Sequence, residues 1–216
     1  MVLDPTQSKG KGGEAEVFGL GDFYSDGRQI VVKVYKGSDH PDYVGQPHEQ
    51  RGAEDRLATH QTKLREFPKD LPQEMVAPID LATNRTGTKV LGYSMEFVGG
   101  HELLAQFSQI SYRRSGITFE QVTKVLATLH KAVKGIHSKG IVLGDFNDLN
   151  VLATPQGSVR IIDADSAQFG SYYCKTFTSK FVDPLLCQQN PNGSGPILCK
   201  PHNQNSDWYA FAVLFL

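Results

Sequence analysis

The chain has 216 residues, 22 basic and 23 acidic side chains and a formal net charge of −1, a balance that argues against nucleic acid or an anionic membrane as a partner. Its 39% hydrophobic and 21% charged residues exclude a disordered chain. No stretch predicts a membrane span, and neither a leader peptide nor a disulfide framework is indicated. We therefore expect a cytoplasmic protein that buries a core in one large domain or two small lobes.

A glycine-rich stretch is the first pattern along the chain. Gly10-Lys-Gly-Gly-Glu-Ala-Glu-Val17 leads into two β-rich runs, residues 16–20 and 28–35, which the polar turn Ser25-Asp-Gly27 separates. The two runs and their turn predict a β-hairpin. Glycines let a backbone pass close to phosphate groups, although this stretch alone is equally consistent with a flexible turn.

Helix and strand patterns follow the hairpin. A helical pattern covers residues 48–67 and ends before Pro68. Residues 75–82 and 89–98 predict two further strands around a turn. This segment therefore adds one helix and two strands to the hairpin, which is enough for a small sheet with a helix beside it.

A long amphipathic helix is predicted over residues 118–137. Its apolar residues recur at steps of three and four, as one buried helix face requires. Thr118 and Gln121 have the spacing of a capping box, which predicts where the helix begins.

The stretch from Ile136 to Gly170 carries the strongest chemical signal. It contains Asp145, Asn150 five residues later, and Asp163 at the end of an apolar run. Asp145 could accept a hydroxyl proton, and Asn150 and Asp163 offer the hard oxygen ligands that suit Mg²⁺. An acid, an amide and a second acid in this order predict a base with a metal site.

These patterns, in this order, resemble the protein-kinase superfamily, in a divergent and bacterial Ser/Thr-kinase-like branch. The matching motifs are D-x-x-x-x-N and D-x-x at Asp145, Asn150 and Asp163, the glycine-rich loop with Ala15 in place of its third glycine, V-A-I-K at Val31-Val-Lys-Val34, and the helix start Ser206-Asp-Trp-Tyr-Ala-Phe-Ala-Val213. The resemblance implies an α+β, bilobal fold. Residues 1–98 would be an N-lobe with a small antiparallel sheet and one main helix, and residues 99–216 a partial, mostly helical C-lobe without its C-terminal helices.

The resemblance also implies a set of site residues for ATP and Mg²⁺, with Mn²⁺ as an alternative metal. Asp145 would be the catalytic base, Lys33 would pair with Glu54 (or with Glu49), and Asn150 and Asp163 would bind the metal. The nucleotide-binding positions would be Gly10, Lys11, Gly12, Gly13, Val17, Lys33, Met95, Glu96, Val98, Asn150 and Asp163. Asp207 would brace the catalytic loop. The expected partners are ATP and a protein that is a substrate or a regulator.

Departures from the family pattern keep two alternatives open. Asn147 stands where many protein kinases have a lysine, Gly144 replaces the arginine before the aspartate, and Asp163-Ala-Asp165 replaces Asp-Phe-Gly. The same core also resembles small-molecule kinases of the aminoglycoside- and choline-kinase type. The altered motifs would equally suit a pseudokinase that binds nucleotide or acts as a scaffold without transferring phosphate.

Overall fold

The computed structural model describes residues 5–193 and 195–215. Within them the chain forms two compact units, residues up to Lys69 with Ala77–Phe97, and Asp70–Val76 with the residues from Val98 on. The short segment Asp70–Val76 therefore belongs to the second unit, although the predicted lobe boundary at 98/99 places it in the first.

The first unit is an antiparallel sheet with one long helix. Its strands are β1 (Ser8–Lys11), β2 (Ala15–Ser25), β3 (Arg28–Tyr35), β4 (Leu81–Thr83) and β5 (Val90–Glu96), and its helix α1 spans Pro47–Lys63. The strand order in the sheet is β1-β2-β3-β5-β4. The core beneath it is built from Ala15, Tyr35, Leu64, Val90 and Tyr93.

The predicted β2–β3 hairpin is confirmed, and its turn explains it. Asp26 and Gly27 both adopt positive φ, 52° and 75°, which is the conformation that a two-residue hairpin turn of the favoured twist requires. Because Asp and Gly tolerate this conformation best, the local sequence is sufficient to place the turn and to set the register of the two strands.

The strand predicted over residues 75–82 is wrong, since only Leu81–Thr83 is a strand. Pro78 has no backbone N–H to donate to a ladder, and Met75 instead forms an isolated parallel bridge with Ile161 of the second unit. Helix α1 also ends earlier than predicted, at Lys63 rather than Phe67. Pro68 disfavours helical backbone at the residue before it.

The second unit combines helices with short strands. Its helices are α2 (Leu104–Ser108), α3 (Ile110–Arg114), α4 (Phe119–Ser138) and α5 (Gln204–Val213). Strands β6 (Glu102–Leu103), β7 (Val151–Ala153) and β8 (Val159–Ile161) form one small antiparallel sheet, and β9 (Cys187–Gln189) pairs with β10 (Pro196–Leu198). The protein is thus an α+β protein with an antiparallel main sheet.

Helix α4 begins with the predicted capping box. The Thr118 side chain accepts from the Gln121 N–H, and the Gln121 side chain accepts from the Thr118 N–H. Leu129 and Val133 lie on its buried face, but Phe119 is 87% exposed and lies at the edge of an apolar groove of about 880 Å³. None of the helices in the described ranges has both the length and the apolar character of a membrane-spanning helix.

Candidate active site

A buried carboxylate holds the loop that carries Asp145. Asp207, in the first turn of α5, is 0% exposed. Its Oδ2 accepts a hydrogen bond from the Leu143 N–H at 2.8 Å and lies 2.8 Å from His137 Nε2, and its Oδ1 accepts from the Gly144 N–H at 3.0 Å. A buried charge needs such partners to offset its desolvation. The contact predicted for Asp207 is therefore present, and it fixes the backbone next to Asp145.

Gly144 lets the loop pass close to a second segment of the same unit. Its φ is 76°, and a Cβ on it would lie 2.6 Å from the Cβ of Cys174. Both the backbone conformation and the close approach require glycine at this position. Cys174 is buried there, and burial raises the pKa of its thiol, so the residue packs as a neutral side chain.

The two carboxylate oxygens of Asp145 have different surroundings. Oδ1 accepts hydrogen bonds from the Thr178 hydroxyl at 2.8 Å and from Asn147 Nδ2 at 3.0 Å. Among the described residues no donor reaches Oδ2. One oxygen therefore fixes the orientation of the carboxylate, while the other is available to accept a proton.

Asn147 is the centre of this hydrogen-bond network and is 4% exposed. Besides its bond to Asp145 Oδ1, its Nδ2 lies 3.0 Å from Thr178 Oγ1. Its Oδ1 accepts from the N–H groups of Leu149 and Asn150, at 2.9 and 3.1 Å. From the sequence alone, Asn147 was apparent only as a departure from the protein-kinase motif. Its short side chain, two and three residues before the amides that it caps, is the local signal for this turn.

Asn150 and Asp163 lie with Asp145 around one small cavity. Asn150 Nδ2 donates to the Asp145 carbonyl oxygen at 2.9 Å, which leaves its Oδ1 as a possible metal ligand. Asp163 follows β8 with a φ of 64°, a strained conformation for a residue other than glycine. The Ser166 N–H and hydroxyl both donate to the Asp163 carbonyl oxygen.

The chemistry of these oxygens fits Mg²⁺. An amide oxygen and a carboxylate are hard ligands, and Mg²⁺ is commonly held by one or two protein groups together with substrate phosphates and water. The described ranges contain no group of three or more His, Cys, Asp and Glu side chains that could hold a metal alone. Asn150 and Asp163 are the residues of this cavity that would hold the ion.

In the first unit, the glycine-rich stretch joins β1 to β2. Gly10 and Lys11 lie on β1, and the Lys11 ammonium is 3.1 Å from Glu16 Oε1. Gly12, Gly13 and Glu14 form the turn itself. Val17 on β2 pairs with Gly10 on one side and with Lys33 of β3 on the other. The sheet register thus places Lys33 of β3 beside the strand that follows the glycine-rich turn.

The predicted Lys33–Glu54 ion pair is absent from the part of the chain that the structure describes. Lys33 Nζ lies 5.9 and 5.8 Å from the ring centroids of Tyr35 and Tyr93, within range of cation–π attraction. Helix α1 turns His60 toward Tyr35, on which it stacks at 4.6 Å. Glu54 is exposed on α1, and so is the other candidate, Glu49.

Three predicted nucleotide-binding residues, Met95, Glu96 and Val98, lie at or just after the end of β5. Met95 pairs with Val31 and packs against the core of the first unit. Glu96 pairs with Ile30, and its Oε2 lies 3.8 Å from Arg28 Nη1. Val98 begins the long segment of the second unit.

Comparisons with known proteins give distant and partial matches. No family model matches the chain. It is similar to protein kinase C-like 1 of Saccharomyces cerevisiae (27% identity over 129 residues, 56% of this chain and 10% of that protein). It is also similar to a putative protein kinase C delta type homolog of Drosophila melanogaster (31% over 127 residues, 57% and 17%) and to protein kinase C-like 2 of Schizosaccharomyces pombe (25% over 135 residues, 60% and 12%). The matched region thus spans less than a fifth of each of these relatives, and it gives the chain a distant sequence relationship to kinases.

Proposed function

We propose that this chain is a kinase-like phosphotransferase with the two-lobed fold of that superfamily, which moves the γ-phosphoryl group of ATP to a Ser or Thr hydroxyl of a protein. One observation carries the proposal. Asp145 is held through Oδ1 by Thr178 and Asn147, its Oδ2 has no donor among the described residues, and Asn150 and Asp163 line the same cavity. A fixed carboxylate with one accepting oxygen, beside two hard ligands, is an arrangement suited to proton removal next to a phosphate-bound metal.

In the proposed reaction, the acceptor hydroxyl lies at Oδ2 of Asp145. The oxygen of that hydroxyl forms a bond to the γ-phosphorus while the bond from the γ-phosphorus to the β–γ bridging oxygen breaks. The hydroxyl proton passes to Asp145, and ADP leaves with the electron pair of the broken bond. Mg²⁺ held by Asn150 and Asp163 would supply charge neutralisation on the phosphates. Because this chemistry depends mainly on positioning, the hydrogen bonds to Oδ1 are part of the proposed mechanism.

The first unit would supply the nucleotide-binding groups. Lys33 would contact the α- and β-phosphates, and the glycine-rich stretch from Gly10 to Gly13, with Val17, would cover them. Met95, with the backbone of Glu96 and Val98, would contact the adenine. The register that places Val17 between Gly10 and Lys33 supports this assignment, as does the order of the motifs along the chain.

The test is transfer of labelled γ-phosphate from Mg·ATP to a generic protein substrate and to the chain itself. We expect Asp145→Asn to lower the rate by about 100-fold or more, since a positioned general base contributes 10²–10⁴-fold. Asp148→Asn is the matched control, because it makes the same change in the same loop and should leave the rate within about twofold of wild type. Equal rates for wild type and Asp145→Asn would refute the proposal.

A nucleotide-binding module without transfer activity is the second candidate, and the exposed position of Glu54 favours it. A strand lysine that is not held by a helix glutamate lacks one of the contacts that fix it for phosphate binding. Nucleotide binding without label transfer to protein would support this reading. Label transfer to a small-molecule hydroxyl, with none to protein, would instead support a kinase of the aminoglycoside- or choline-kinase type.

A further inference from the structure

The glycine-rich turn is held by side chains from outside the hairpin. Lys36 follows β3, and its Nζ donates to the Gly12 carbonyl oxygen at 2.5 Å. The Tyr43 hydroxyl donates to the Gly13 carbonyl oxygen at 2.7 Å. Two successive carbonyl groups of a turn that glycine would otherwise leave flexible are thus fixed by separate donors.

Lys36 is a buried lysine whose ammonium group has two polar partners. The residue is 4% exposed, although lysine is rarely buried without a partner. Its ammonium is satisfied by Gly12 and by Asp42 Oδ2 at 2.7 Å, and the ion pair with Lys36 lowers the pKa of the Asp42 carboxyl. The Lys36 N–H also donates to the Glu14 carbonyl oxygen at 3.0 Å. Both ends of Lys36 therefore contact the turn.

A third tie connects the turn to helix α1. The Glu14 carboxylate lies 2.6 Å from Arg56 Nη2. Within the turn, the Gly12 N–H donates to the Ala15 carbonyl oxygen at 2.9 Å. The N–H groups of Gly13 and Glu14 have no acceptor among the described residues. With the carbonyl groups engaged, these two N–H groups are the polar groups of the turn that remain for an anionic ligand, and backbone N–H groups in turns bind phosphate readily.

We propose that Lys36, with Tyr43, is a positioning residue that holds the glycine-rich turn in the conformation that receives the phosphates of a nucleotide. The inference rests on the proposed nucleotide-binding function for its ligand, but not for the ordering of the turn. Lys36 acts through the Gly12 carbonyl and not by contact with the nucleotide. Its effect is therefore confined to the phosphate end of the ligand.

The first experiment compares the affinities of wild type and Lys36→Met for Mg·ATP and for adenosine, measured by calorimetry. We expect Lys36→Met to weaken ATP binding about tenfold, as the loss of one charge-assisted hydrogen bond predicts, and to leave adenosine binding unchanged. Tyr43→Phe, which removes only the hydroxyl, should show a smaller loss of the same kind. Lys9→Met is the matched control, an exposed β1 lysine that should leave both affinities unchanged.

A general loss of structure would weaken adenosine and ATP binding alike, and that result would overturn the proposal. Unchanged ATP affinity in both Lys36→Met and Tyr43→Phe would overturn it as well.

A second measurement needs no nucleotide. Hydrogen exchange of the Gly12 amide, which is bonded to Ala15, should become several-fold faster in Lys36→Met and Tyr43→Phe than in wild type and Lys9→Met. If wild type binds no nucleotide, the proposed function fails. Faster exchange in the two variants would then still establish that Lys36 and Tyr43 order the turn, and unchanged exchange would refute this part too.

Discussion

The Thr178 hydroxyl donates to Asp145 Oδ1, the oxygen that Asn147 also contacts, across a separation of 33 residues. We expect Thr178→Val to lower the kcat of the proposed transfer about tenfold with little change in the KM for ATP, because the carboxylate loses one of its two orienting donors. Thr178→Ser, which keeps the hydroxyl, should retain most of the activity.

Steady-state kinetics of both variants, with Thr123→Val on an exposed face of α4 as control, would check this prediction. A Thr178→Val enzyme with wild-type kcat would show that Asn147 alone orients Asp145.

At the residue scale, the sequence identified polar side chains that lie around one cavity in the structure. It did not identify the groups that orient them. Asp145, Asn150 and Asp163 are close in sequence and flank short strands, so their shared cavity follows from local order. The Thr178 contact depends on the path of a long irregular segment, which no periodic pattern describes. Glu54 does not pair with Lys33 as predicted. Helix α1 carries two glutamates, Glu49 and Glu54, and the sequence alone did not show which face of the helix meets the sheet.

At the element scale, Gly92 in β5 is a point where two strands are in close contact. A Cβ at Gly92 would overlap the carbonyl oxygen of Lys33, so we expect Gly92→Ala to destabilise the protein by about 2 kcal/mol or more. Gly52 in α1 has nothing within 4 Å of its would-be Cβ, and Gly52→Ala should stabilise by up to about 1 kcal/mol.

Urea unfolding of both variants, followed by circular dichroism, measures the expected loss of stability in Gly92→Ala and the expected gain in Gly52→Ala. Equal midpoints for Gly92→Ala and wild type would contradict the packing described for β3 and β5.

Elements with strong local signals were predicted well, and those without them were not. The Asp26-Gly27 turn fixes the β2–β3 hairpin, and the Thr118–Gln121 box fixes the start of α4. Strands β6, β7, β9 and β10 have only two or three residues each, too few to show the alternation by which a strand is recognised. Their pairing is decided by tertiary contacts, so the sequence could not show it.

At the scale of the whole molecule, the buried thiol of Cys174 makes the stability of the fold depend on pH in the alkaline range. Burial raises the pKa of the Cys174 thiol above its ordinary value of 9.0, so the folded state keeps a proton that the unfolded state loses. This contribution to the free energy of unfolding is fully present below about pH 9 and is lost as the pH rises through the folded-state pKa.

We therefore expect the urea midpoint of wild type to fall more steeply between pH 8 and about pH 10 than the midpoint of Cys174→Ala. The comparison with Cys174→Ala removes the contributions of lysines and tyrosines that titrate in the same range. Parallel curves for the two proteins would show that Cys174 is not protected from ionisation in the folded state.

The fold class was predictable from the sequence because it depends on hydrophobic patterns that extend over many residues. Alternating runs gave the antiparallel sheet, and the amphipathic pattern gave the long helix, so the α+β class followed without any tertiary information. The assignment of Asp70–Val76 to the second unit was not accessible. It depends on two hydrogen bonds with Ile161. The Val76 N–H donates to the Ile161 carbonyl oxygen, and the Ile161 N–H donates to the Glu74 carbonyl oxygen. Nothing in the local pattern indicates this distant partner.

The position of Asp70–Val76 has a consequence for the order in which the protein is made. A ribosome delivers this segment before the remaining strands of the first unit and long before β8, which contains its partner Ile161. The segment must therefore wait with its backbone groups hydrated until most of the second unit has been synthesised. The strands of the first unit can pair during this time. Synthesis from the N-terminus therefore favours completing the sheet that carries the glycine-rich turn before the loop of Asp145 forms its final contacts.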